Sequence, residues 1–112
     1  MYYGLIGFDE MHVHVDRKRV GFNVDGNIGV ETGGGNSPLV VKLDFILLEG
    51  MEDYLDWRAK LDVEVIVDYC VGNDCHTLSF PGRITSVHYG IPEEAEIVST
   101  GPVLLNGKPF GN

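Results

Sequence analysis

Leu39-Val40-Val41-Lys42-Leu43-Asp44-Phe45-Ile46-Leu47-Leu48, then Gly50, then Met51 to Leu61, then Val63 to Val71, is the stretch whose reading decides the fold. Its first ten residues are apolar and β-branched enough for a strand set into a core. Gly50 stops that strand. Over Met51 to Leu61 the pattern changes: Glu52, Asp53 and Asp56 crowd the first turns, where the positive end of a helix dipole favours anions. Arg58 and Lys60 fall in the last turns, where it favours cations, so the polarity predicts one short helix over about 51–61. A helix of about eleven residues is marginal alone and needs packing. Trp57 and Leu61, spaced i,i+4, are expected to anchor it on a sheet. Val63, Val65 and Val67 then alternate with Glu64 and Asp68, as in a strand with one face in water.

The flanking segments read as strands and turns. Met11, Val13 and Val15 alternate with His12, His14 and Asp16. Arg17-Lys18-Arg19 forms a basic connector to Val20–Val24, Asp25-Gly26 supplies a hairpin turn, and Ile28 and Val30 continue on the return strand. Gly33-Gly34-Gly35-Asn36-Ser37-Pro38 cannot hold regular structure, because its glycines are entropically loose and Pro38 lacks a donor, so a mobile loop or arm is expected there. Gly72-Asn73 as a two-residue type II′ loop would pair Val71 with Asp74 and set Cys70 opposite Cys75. Such a pair can form a bridge or stay as two thiols. His76–Phe80, a Pro81-Gly82 turn, Arg83–Tyr89, a turn at 91–94 and Ala95–Thr100 follow, with an Asn106-Gly107 turn in a loosely held tail.

The 112 residues fit one domain. Fifteen glycines and five prolines among many Val and Ile favour strands joined by tight turns, so the class is mainly β, an antiparallel sandwich or barrel with one flanking helix. Seventeen acidic against eight basic residues give a formal net charge of -9, which repels nucleic-acid backbones and anionic membranes. The same charge keeps a small protein soluble and would let a polyanion slide past without sticking. No apolar run approaches the roughly 18 residues of a membrane span, and Met1-Tyr2-Tyr3-Gly4 lacks the basic region of a secretory signal.

No catalytic motif stands out. His12, His14 and Asp16 have the spacing of a metal site, but no motif supplies the third imidazole that His76 or His88 would have to provide, so neither metal nor cofactor is expected. Cys75-His76 is not a dyad, since neighbouring strand residues point to opposite faces. Asp9-Glu10 and Glu93-Glu94 sit at turns, where exposed acids are ordinary. Arg17, Lys18 and Arg19 read as an exposed turn or a salt-bridge patch for an acidic neighbour.

The order strand, acidic helix, strand, hairpin, strand, turn, strand over Leu39 to Gly101 resembles the tail-tube proteins of long-tailed phages and the related type VI secretion tube protein. The segment Gly82-Arg83-Ile84-Thr85-Ser86-Val87-His88-Tyr89-Gly90-Ile91-Pro92-Glu93-Glu94-Ala95-Glu96-Ile97-Val98-Ser99-Thr100-Gly101 is similar to their late strand pair. The first 38 residues have no counterpart in that pattern. The resemblance implies a non-enzymatic virion subunit, assembled in the host cytoplasm, whose copies form rings that stack into a channel for DNA. Gly33, Gly34, Gly35 and Asn36 would then be a docking arm onto a neighbour. The competing reading is a small acidic β-module that binds a protein or small molecule through Trp57 or the His12–His14 face. A connector or decoration role in a virion suits the same residues.

Overall fold

The computed structural model describes residues 2–32 and 39–110. The chain runs β1 (Tyr2–Val15), β2 (Lys18–Thr32), β3 (Leu39–Leu47), α1 (Glu52–Asp56), β4 (Val63–Val71), β5 (Asp74–His88), β6 (Glu94–Ser99), β7 (Leu104–Leu105) and β8 (Lys108–Pro109). Neighbours pair in the order β4-β1-β2-β3-β6-β5, and β4 pairs with β5 as well, which closes six antiparallel strands into a barrel. β7 and β8 add a small hairpin beside β5. The expected mainly β architecture is the one observed, in its barrel form.

Alternation fills the interior. Met11, Val13 and Val15 of β1 meet Tyr69, Val67 and Val65 of β4, and all six are buried. Leu43 and Phe45 of β3 and Ile97 of β6 complete the far wall. Gly21 is required by this packing: a Cβ there would lie 2.3 Å from a ring carbon of Phe45 and 2.5 Å from the Ile46 carbonyl oxygen. The β4–β5 hairpin has the expected register, Val71↔Asp74 and Cys70↔Cys75, with Gly72 at φ +60° as a II′ loop needs at its first position. Cys70 and Cys75 are joined in a disulfide across the two strands.

Several boundaries differ from the sequence reading. Asp25-Gly26 is not a turn: β2 continues through it, with Gly26 opposite Phe8 and Val24 opposite Glu10 of β1. The chain reverses instead at Asp16-Arg17, both at positive φ, which leaves Asp16 outside the His12–His14 face. Asp16 earns that place through its carboxylate, which accepts from the Glu64 amide at 3.0 Å and from Arg58 Nε at 3.0 Å. Gly26 serves close packing, since a Cβ would stand 2.9 Å from Phe8 Cζ.

Pro81-Gly82 is a bend inside one long strand, where β5 leaves β4 and continues along β6. Proline can stand there because it need not donate to a ladder at the switch. The C-terminal segment is docked rather than loose. Val103 is buried, Phe110 N–H donates to the Val103 carbonyl at 2.9 Å, and Asn106 accepts from Thr77 N–H at 2.8 Å.

The helix is shorter than expected. It spans five residues, and beyond Asp56 the amides of Arg58, Ala59 and Leu61 bond three residues back, tightening the chain into turns. Leu55 is its only buried residue, fully covered, whereas Trp57 is 82% and Leu61 58% exposed. The expected Trp57–Leu61 anchor is therefore corrected: a five-residue helix cannot carry a second apolar stripe to the sheet, and Leu55 with half-buried Met51 and Tyr54 does the packing.

Candidate assembly surfaces

The basic turn and the helix form one corner of the barrel. The Tyr54 hydroxyl donates to the Val15 carbonyl at 2.9 Å, fixing α1 over the β1–β2 turn. The Arg58 guanidinium lies 3.6 Å from the Tyr54 ring centroid and bonds Asp16, while Lys18 Nζ stands 5.5 Å from the same ring. Arg19 donates to His12 Nδ1 at 2.7 Å, so that nitrogen is an acceptor and Nε2–H donates to Glu10 at 2.6 Å. Of the predicted contact residues, Lys18 stands beside α1, Arg19 is turned to His12, Arg17 lies exposed in the β1–β2 turn, and Trp57 is exposed at the end of α1. Gly33, Gly34, Gly35 and Asn36, and the docking-arm reading placed on them, lie outside the described residues.

The chemistry-bearing groups largely satisfy one another. Both ring nitrogens of His12 are engaged, and His14 Nδ1 is buried 4.0 Å from Asp68 without a hydrogen bond among the described residues. No group of three His, Cys, Asp or Glu side chains among the described residues is placed to hold a metal ion.

Two carboxylate pairs escaped the sequence reading because their members are distant in the chain. Asp44 stands directly across from Glu96. Desolvation, then the Glu96 charge and hydrogen bond, then Glu94, raise the Asp44 carboxyl above its ordinary value, against Lys42, which lowers it. A hydrogen bond shared with Glu52 raises Glu93 likewise, with desolvation and the Glu52 charge adding to it.

No family model, curated protein or solved structure matches this chain. Its surfaces must be read from their own physics.

Among the described residues the strand ladder leaves two edges open, at the starts of β1 and β3. β1 pairs with β2 along its whole length but with β4 only from Glu10 to Val15. No strand among the described residues lies on the other edge of β1 from Tyr2 to Asp9; the Asp9 carboxylate takes the Gly72 amide there. β3 likewise pairs with β6 only from Lys42 to Ile46, with Ser99 Oγ accepting the Val41 amide. The outer halves of β1, β2 and β3 thus form a three-stranded arm beyond the closed barrel. On its outer face Leu5 is 71% exposed, beside a small pocket of about 130 Å³ lined also by Gly29 and Val40. Sequence periodicity could find β1 but not this edge, since which strand lies beside it is a long-range fact.

A second surface lies outside β4 and β5. Ile66, Pro81, Pro102 and Leu104 line a groove of about 610 Å³, with Asp62 and Glu64 among its walls.

Proposed function

We propose that this protein is a non-enzymatic structural subunit whose copies join edge to edge through the β1–β3 arm, as a tail-tube-like ring component of a virion. The observation that carries the reading is the β1 edge from Tyr2 to Asp9, which no strand among the described residues pairs. A row of open backbone donors and acceptors is a template for another strand, and soluble proteins commonly cover or blunt it. Here the arm has β1 on one edge and the start of β3 on the other, so copies in one orientation can continue a single sheet. Head-to-tail contacts of that kind close into rings when the rotation permits. A net charge of -9 suits a ring through which DNA passes without adhering.

Light scattering across concentration, with negative-stain microscopy, tests this. The intact chain should form closed rings or larger polymers, and Leu5→Lys, which puts a charge on the arm, should shift it to monomer. An intact chain that remains monomeric at millimolar concentration would remove the reading and favour the small binding module.

A further inference from the structure

We propose that the Cys70–Cys75 bridge is a redox switch: closed, it holds the tip of the β4–β5 hairpin against the start of the open β1 edge, and opened, it lets that tip fray. β4 pairs with β1 only as far as Glu10↔Cys70, so the last two rungs, Cys70↔Cys75 and Val71↔Asp74, run out beyond the barrel wall. None of residues 70–75 is buried, and Cys75 is exposed to a reductant. A two-stranded hairpin end without a core is marginal in water. The bridge fixes this one, together with the Asp9 carboxylate, which accepts the Gly72 amide at 2.6 Å. One rung below, the hairpin is held independently. Tyr69 is buried, its ring centroid lies 5.3 Å from that of His76, and Asn106 Nδ2 donates to His76 Nδ1 at 3.0 Å. Opening the bridge therefore frees a bounded unit, residues 70–75, and leaves the barrel closed.

The step is a two-electron exchange. A dithiol gives two electrons and two protons, the Sγ–Sγ bond breaks to two thiols, and the dithiol closes to its own disulfide. A reducing cytosol favours the thiols and an oxidising exterior favours the bridge, so the closed form belongs outside the cell. The consequence for assembly rests on the edge-to-edge reading above. When the tip frays, the Asp9 carboxylate loses the Gly72 amide and stands as a bare charge at the end of the β1 edge. A charge there opposes the addition of a strand, so the bridged form is the one that assembles better.

Amide exchange on the dilute full chain, with and without dithiothreitol, tests the switch, and alkylation followed by mass measurement reports the state of the bridge. Reduction should speed exchange at Gly72 about tenfold or more, and leave Val65 and Val67 of β4 unchanged. The double variant Cys70→Ser, Cys75→Ser should exchange at the reduced rate under both conditions. Light scattering should place the midpoint of assembly at about two- to fivefold higher concentration for the reduced chain, the scale of one exposed charge. Asp9→Asn should make that midpoint indifferent to dithiothreitol while exchange at Gly72 still responds. Equal Gly72 rates in the two forms, faster exchange spreading to Val65, or a bridge that dithiothreitol cannot open in the folded chain would overturn the switch. An assembly midpoint equal in the two forms would overturn its link to the edge. Should the chain assemble in neither form, the edge-to-edge reading falls, and the Gly72 rates still decide the switch.

Discussion

Replacing Leu55 and Trp57 in turn by alanine separates what holds α1 on the barrel from what it displays. Leu55 is wholly covered, so its removal forfeits the transfer free energy of a buried leucine, about 1.5–3 kcal/mol, and leaves a cavity. Leu→Ala in a core costs about 2–5 kcal/mol in all, and the near-equal helix propensities of the two residues offset little of it. The loss cannot exceed the free energy that docks this short segment, because beyond that point α1 detaches and the barrel persists. The expected value is therefore about 2–3 kcal/mol, in the lower half of that range. Trp57→Ala removes a side chain that is already solvated and should change monomer stability by less than about 0.5 kcal/mol. Urea titration followed by far-ultraviolet circular dichroism, at concentrations dilute enough to keep copies apart, reads both variants without depending on the deleted fluorophore. A cost of about 3 kcal/mol or more for Trp57→Ala, the scale of a buried aromatic, would refute the placement of α1.

Other perturbations probe the barrel. Gly21→Ala should destabilise by about 1–3 kcal/mol, because its Cβ would meet the Ile46 carbonyl and the Phe45 ring at under 3 Å; Gly29→Ala, whose Cβ has nothing nearer than 3.6 Å, should be neutral or stabilise by about 0.5 kcal/mol in the same titration. Reducing the Cys70–Cys75 bridge should cost about 2 kcal/mol, since it closes a short loop, and amide exchange should find the β4–β5 register retained. Asp44→Asn should stabilise at neutral pH. With its carboxyl raised in the folded state, Asp44 favours folding most below its unfolded value of about 3.9, and that stability is lost as pH rises through the folded value and the group ionises beside Glu96. The gain from asparagine should be roughly 0.2–1 kcal/mol, the scale of a cross-strand pair, and should vanish near pH 3 in melts taken across pH.

Local periodicity by itself determined the strand class of this protein. The alternation of Met11, Val13 and Val15 and of Val63, Val65 and Val67 forces one buried face per strand, and Gly72-Asn73 sets Cys70 against Cys75, because in a two-residue hairpin the loop dictates the register. The acidic start of the helix was equally local. Tertiary pairing decided the rest. Asp25-Gly26 and Asp16-Arg17 both carry turn chemistry, yet only the second reverses the chain. Phe8 packs where a Cβ on Gly26 would stand, and Glu64 and Arg58, some 40 to 50 residues away in sequence, hold Asp16. Trp57 and Leu61 have the spacing of an anchor, but the barrel offers α1 room to bury only Leu55 fully, so the tryptophan faces solvent. The open β1 edge and the groove beside Leu104 are absences and concavities created by strands far apart in the chain, and no periodicity within one segment encodes them.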